Sequence, residues 1–201
     1  MTSGSVAIID SGGANIASLR FALERLGAKS ILTGDVDTIR KASHVILPGV
    51  GAAKAAMNRL HEQRIAELIP SLSQPVLGIC LGMQLLAEGS EEDRATCLGI
   101  VEGTARKLPN NSGCRVPNMG WCQVSAKSDH ELLRNIDSDS YFYFLHSYAL
   151  PIADYTVASA KHVDDFTAIL THRNFHATQF HPERSAAAGA EVLRNFLALG
   201  S

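Results

Sequence analysis

The sequence contains no C-x-x-C pair, no run of five like charges, no basic leader and no long uncharged stretch free of proline and glutamine. Each absence excludes a class of protein. The four cysteines, at 80, 97, 114 and 122, lack the spacing of a zinc ribbon or a thioredoxin-type pair, so they read as free thiols in a reducing compartment, the cytoplasm. With 18 Lys+Arg against 20 Asp+Glu the formal net charge is −2, which offers no electrostatic footprint to a phosphate backbone. No nucleic-acid partner is expected. The longest uncharged run, Leu68 to Ala87, matches a membrane span in length but carries Pro70, Gln74, Pro75 and Gln84, so no membrane segment is expected. Met1 to Asp10 enters an apolar stretch without a basic region or cleavage site, and no secretory signal is read there. The 201 residues, 46% hydrophobic, suffice for one large core, and the chain reads as a single domain over 1–201.

The order of elements sets the fold class. Val6 to Ile9 reads as a strand ending at Asp10 and a Ser-Gly-Gly turn. A helix follows, capped by Asn15, with Ile16, Leu19, Leu23 and Leu26 on one face until Gly27 stops it. Strands are expected at Ser30 to Leu32, Val45 to Leu47 and Pro75 to Ile79, and helices at Ala53 to Leu68 and Leu81 to Glu88. Such alternation implies βαβ units: an α/β fold with a mostly parallel open sheet and helices on both faces. Later segments follow one another with few helices between: Ile100 to Arg106, Trp121 to Ala126, Tyr141 to Tyr148, Thr156 to Ala160, Phe166 to Leu170 and Ala177 to Phe180. They read as hairpins forming an added antiparallel edge. A closing helix presents Val192, Leu193, Phe196 and Leu197 to the sheet.

Three segments carry chemistry. Gly78-Ile79-Cys80-Leu81-Gly82 has the form of a nucleophile elbow with cysteine in place of serine. Glycines two positions either side leave room for the strained turn, and a helix N-terminus behind the thiol favours the thiolate. A buried cysteine at a glycine-rich strand end fits the same pentapeptide. A proton carrier is available in Gln179-Phe180-His181-Pro182-Glu183, where residues two apart in an extended segment share a side and Pro182 stiffens the link between His181 and Glu183. Elbow and His-Pro-Glu together make a Cys-His-Glu triad, each supplying what the other lacks. The third segment, Pro48-Gly49-Val50-Gly51-Ala52, ends a strand on the same rim and can aim backbone N–H groups at an oxyanion. It lacks the G-K-[ST] of a phosphate loop, and Gly12-Gly13 lacks the third glycine of a dinucleotide fingerprint. His172 and His176 flank an Arg-Asn-Phe turn and read as surface residues, so no metal site and no cofactor are expected. The Tyr141 to Tyr148 segment reads as core strand on residue types alone.

Taken together, P-G-V-G at Pro48 to Gly51, G-I-C-L-G-M-Q at Gly78 to Gln84 and Q-F-H-P-E at Gln179 to Glu183 resemble the class I (triad) glutamine amidotransferases. Met119-Gly120-Trp121, the H-S-Y ending at Tyr148 and Arg184-Ser185 narrow the resemblance to the glutaminase subunits of imidazole glycerol phosphate synthase, the HisH type, over nearly the whole chain. The resemblance implies hydrolysis of L-glutamine through a γ-glutamyl thioester on Cys80, with His181 as base and acid and Glu183 orienting it. It implies an oxyanion held by the N–H groups of Leu81 and Val50. Gly49, Gly51, Gln84, Glu92, His146, Ser147 and Tyr148 would bind the substrate. Ammonia would pass to a cyclase subunit with a (β/α)₈ barrel, the heterodimer partner, which uses it in histidine synthesis. Asp10 to Asn15, Met119 to Trp121 and Arg184 would lie near that interface. The chain departs from the usual pattern at Ser11, Ala14, Asn118 and Cys122, which bears on partner contact and activation. Other readings are a glutaminase serving another synthase, a stand-alone cysteine hydrolase of the same fold, and a non-catalytic α/β module binding a barrel protein.

Overall fold

The computed structural model describes residues 5–11, 15–110 and 114–200. Its first half alternates strand and helix: β1 (Val6–Ile9), α1 (Ile16–Arg25), β2 (Ser30–Thr33), α2 (Val36–Lys41), β3 (His44–Gly49), α3 (Ala53–Glu62), α4 (Ile65–Leu68), β4 (Val76–Cys80) and α5 (Leu81–Gln84). Strands dominate thereafter: β5 (Gly89–Ser90), β6 (Ala95–Thr96), β7 (Thr104–Lys107), β8 (Asn118–Gln123), β9 (Ser125–Ala126), β10 (Tyr141–His146) and β11 (Tyr148–Ala149). β12 (Thr156–Lys161), β13 (Asp165–His172), β14 (Phe175–Thr178) and α6 (Ala186–Leu197) complete the chain.

Eight strands form the main sheet in the order β2-β1-β3-β4-β14-β13-β12-β9. The first five are parallel and the last three antiparallel. Alternation along the buried strands feeds two cores, one per face. Ala7, Ile9, Val45 and Leu47 face α2, α3 and α4, whereas Val6, Ile8, Ile46 and Leu77 face Leu19 and Leu23 of α1 and Val192, Leu193 and Phe196 of α6. Each buried Val, Leu, Ile or Phe side chain among these contributes roughly 1.5–3 kcal/mol.

Several sequence expectations are corrected. Asn15 stands at the start of α1 but makes no capping hydrogen bond, while Gly27, at φ 78°, does end that helix. The single helix expected over Ala53 to Leu68 breaks at Arg64, which adopts φ 58°. Ala53, Ala56, Met57 and Leu60 make one buried stripe; Ile65 and Ala66 lie off its helical continuation, and after the left-handed residue both are buried. α5 has one turn instead of two because the carbonyls of Leu85, Leu86 and Ala87 accept from Leu98, Gly99, Ile100 and Val101 of the returning chain. α2, capped by Asp35 through Thr38 N–H, and the two-residue strands β5 and β6 have no counterpart among the expected elements. Nor do all the later strands extend the main sheet. β8 and β10 form a separate antiparallel ribbon, β11-β7-β5-β6 a second small sheet, and β14 enters the main sheet parallel to β4.

Among the described residues no helix is long and apolar enough to cross a membrane.

Candidate active site

Cys80 ends β4 at φ 54° and ψ −109°, a backbone region that side chains rarely enter, and it projects from the turn into α5. The glycines around it are required by contact. A Cβ on Gly82 would lie 1.8 Å from the Leu47 carbonyl oxygen, and one on Gly78 would lie 2.9 Å from the Gly82 backbone. The elbow is thus pressed against β3, where Gly49 pairs with Cys80. α5 has a single turn, so the macrodipole expected to favour the thiolate is small, and side chains must supply that support.

His181 is reached differently from the extended arrangement expected. Pro182–Arg184 forms a 3-10 turn, and this turn swings Glu183 back so that its Oε1 accepts from His181 Nδ1–H at 2.9 Å. Both side chains are buried. Ser185 anchors the turn: its hydroxyl donates to the His181 carbonyl at 2.7 Å and accepts from Tyr143 N–H at 2.9 Å. The second imidazole nitrogen is left for the Cys80 sulfur. Burial lowers the affinity of His181 for its proton, but hydrogen bonds and charge from Cys80 and Glu183 outweigh it and raise the pKa to about 10.

These groups open into a cavity of about 240 Å³ lined by Cys80, His181, Val50, Leu81, Gly51, Gln84, Glu92, and His146 to Tyr148. Gly49 does not line it; it lies behind the triad, beside a smaller cavity shared with His181 and Glu183. Glu92 also accepts from Ala53 N–H at 2.9 Å, tying the start of α3 to the cavity wall. Gln84 donates to the Tyr148 carbonyl at 2.8 Å and to Gln179 Oε1 at 3.1 Å.

Sequence reasoning missed Gln179, whose Nε2 lies 3.7 Å from Cys80 Sγ, and the Leu145 carbonyl, 3.5 Å from the same sulfur. Gln179 follows β14, and its approach to Cys80 depends on the pairing of β14 with β4, which no local signal announces. It also missed the roles of two unusual residues. Ser11 donates its hydroxyl to the Pro48 carbonyl and so holds the glycine loop. Asn118 Nδ2 donates to His146 Nε2 at 3.1 Å, and the Cys122 thiol donates to Asn118 Oδ1 at 3.7 Å. Gly12, Gly13 and Ala14, within the segment expected near an interface, lie outside the described residues.

The Tyr141 to Tyr148 segment divides by face. Phe142, Phe144 and His146 point inward, while Tyr141, Tyr143 and Leu145 share the outer face of the ribbon with Met119 and Trp121. Met119 is 68% exposed, Trp121 52% and Tyr141 55%, a concentration of large apolar side chains on the ribbon whose Leu145, paired with Met119, lines the cavity. The Arg184 guanidinium sits 4.5 Å over the Tyr143 ring.

His176 is buried, not at the surface as expected, and hydrogen-bonds Thr171 Oγ1 at 3.0 Å. Burial, then the neighbouring His130, lowers its pKa to about 4; burial likewise takes His146 to about 4. Folded-state values below the unfolded value mean that unfolding takes up protons. The neutral rings therefore stabilise the fold fully above about pH 6.5, and this is lost as pH falls toward 4, by about 1.4 kcal/mol per pH unit for each proton. Urea titrations at pH 7 and pH 4.5 are expected to show this loss, with His176→Gln reducing it; equal losses in the two chains would contradict the assignment. His181 behaves oppositely: its contribution is present below the unfolded value and is lost as pH rises toward 10.

Among the described residues no group of three or more His, Cys, Asp or Glu side chains suits a metal ion.

Residues 7–199 match the family model described as glutamine amidotransferase class-I. The chain is 48% identical over 193 residues to the imidazole glycerol phosphate synthase subunit HisH of Pectobacterium atrosepticum, covering 96% of this chain and 98% of that one. It is 46% identical over 196 residues to subunit HisH 2 of Legionella pneumophila strain Paris, covering 98% of each. Among solved structures, a glutamine amidotransferase superposes with TM-score 0.73 at 18% identity over 96% of both chains. PurLQS from Thermotoga maritima superposes with TM-score 0.69 at 18% identity over 98% of both, so these two speak for the fold.

Proposed function

The chain belongs to the class-I glutamine amidotransferases, in the branch of HisH subunits of imidazole glycerol phosphate synthase, and from this we infer that it hydrolyses L-glutamine as the glutaminase subunit of such a synthase. The observation that carries the chemistry is the convergence of Cys80 and His181 on one cavity, with Glu183 holding the far nitrogen of the imidazole.

In the proposed reaction the Cys80 sulfur attacks the γ-carboxamide carbon of glutamine, and the resulting oxyanion takes hydrogen bonds from the backbone N–H groups of Leu81 and Val50. His181 gives its proton to the departing nitrogen, and the C–N bond breaks to leave ammonia and a γ-glutamyl thioester. Water then gives a proton to His181 and attacks the thioester carbonyl. Glutamate leaves, the sulfur is restored, and Glu183 holds the imidazole in register throughout. Gln84, Glu92 and the His146 to Tyr148 wall hold the amino and carboxylate groups of the free amino acid, with Gly49 and Gly51 shaping the backbone opposite. Leaving those charges unpaired would cost several kcal/mol, so the site selects glutamine over amides that lack them.

Free ammonia is largely protonated near neutral pH and would escape to water, which gives chemical reason for a sealed partner. The partner is a (β/α)₈-barrel cyclase subunit, docked in the cytoplasm on the outer face of the β8–β10 ribbon. Supporting this reading is the exposed Met119, Trp121 and Tyr141 patch on that ribbon, whose Leu145 lines the cavity. Glutamate release is expected to be slow for the chain alone and strongly stimulated by the cyclase with its nucleotide ligand; absence of stimulation would remove the partner assignment. Trp121→Ala is expected to weaken association about 10- to 100-fold by calorimetric titration while leaving unassisted hydrolysis unchanged. Unchanged affinity would place the partner elsewhere.

A further inference from the structure

One backbone carbonyl fixes the orientation of the buried amides behind the nucleophile. The Tyr148 carbonyl can only accept, and it receives His146 Nδ1–H at 2.9 Å and a Gln84 amide group at 2.8 Å. The Gln84 atom that faces it must therefore be nitrogen. The same Gln84 nitrogen lies 3.1 Å from the Gln179 side chain, so the Gln179 atom it meets must be oxygen. That leaves the Gln179 amide N–H pointing at Cys80 Sγ, 3.7 Å away.

Gln179 is completely buried and Gln84 nearly so. The Gln179 oxygen serves Gln84, and what that pairing leaves over is a buried amide N–H turned by two successive hydrogen bonds toward a sulfur. The elbow helix is one turn long and brings little dipole to that sulfur. The same sulfur faces His181 and the Leu145 carbonyl, 3.5 Å away, and beside them a donated N–H is worth more to a sulfur anion than to a neutral thiol, so the contact strengthens as the nucleophile gains charge.

We propose that Gln179 is a positioning residue for the nucleophile: its Nε2–H, aimed by Gln84 and the Tyr148 carbonyl, holds the Cys80 sulfur in place and favours its anionic form. The proposal rests on the glutaminase reading for its purpose, although the contact itself is independent of substrate.

The test is alkylation of the full-length chain with iodoacetamide across pH, followed by mass quantification of the Cys80 peptide. Gln179→Met keeps length and removes the donor; Gln179→Glu puts a carboxylate against the sulfur. The midpoint of Cys80 labelling is expected to move to higher pH in both, further in Gln179→Glu, and labelling of Gln179→Met at neutral pH is expected to fall about tenfold. A residue that merely packed would lower the melting temperature and leave the midpoint where it was. An unchanged midpoint in Gln179→Met overturns the proposal, and this variant decides alone if the buried carboxylate prevents folding. Glutamate release measured on the wild-type sample separates the two claims: its absence would defeat the glutaminase reading, while the midpoint shift would still decide the role of Gln179.

Discussion

Cys80→Ala is expected to fold and to release glutamate at no more than the background rate, a fall of at least ~10⁴-fold. The reasoning begins with the backbone. Position 80 already holds a non-glycine residue at φ 54°, so alanine meets the same strain as cysteine and adds no new clash. What disappears is the sulfur that His181, Gln179 and the Leu145 carbonyl surround. Without it His181 has no proton to exchange with a nucleophile, and the cavity binds glutamine without splitting it. Calorimetry of glutamine binding by the variant, beside a glutamate assay, distinguishes lost chemistry from lost folding. Hydrolysis that survives the substitution would remove the thioester mechanism.

Gly82→Ala is expected to be the most damaging glycine-to-alanine change among the described residues. The new Cβ would stand 1.8 Å from the Leu47 carbonyl oxygen, a backbone atom in the centre of the sheet that cannot swing aside. Either the elbow lifts away from β3 or β3 loses its pairing with β4, and a loss above about 4 kcal/mol follows from overpacking of this kind. Gly27→Ala provides the comparison. Gly27 also has positive φ, but nothing lies within reach of its added Cβ, so only the left-handed backbone is penalised, at about 1 kcal/mol. Urea unfolding of both variants checks the contrast; comparable midpoints would contradict the close packing of the elbow on β3.

How much of this was legible in the sequence depends on whether the determining contact was local. Val6 to Ile9, Pro75 to Ile79 and the apolar face of α1 were readable because a strand's or helix's own residues set their period. The break at Arg64 was not, since no glycine or proline marks it and what it serves is the burial of Ile65 and Ala66 in the assembled core. α5 was overestimated for a similar reason: Leu85 to Ala87 suit a helix, yet their carbonyls are claimed by residues more than ten positions later. The same division runs through the site. Cys80 with its glycines and His181 with Glu183 each sit in a short motif. Gln179 was overlooked as a contact of the sulfur because only the parallel pairing of β14 with β4 brings its strand beside Cys80. The ribbon was read as core because a list of residue types does not reveal that Tyr141 and Leu145 alternate with Phe142 and Phe144 across two faces.

The central claim is that Cys80 bonds covalently to the substrate. Mixing the protein, with the cyclase subunit and its ligand present, with glutamine, quenching in acid and weighing the peptide that contains residue 80 tests it most directly. A transient peptide heavier by one γ-glutamyl group at Cys80 is expected, with no such gain at the other three cysteines. Steady release of glutamate with that peptide never gaining mass, even at the shortest quench times, would contradict it.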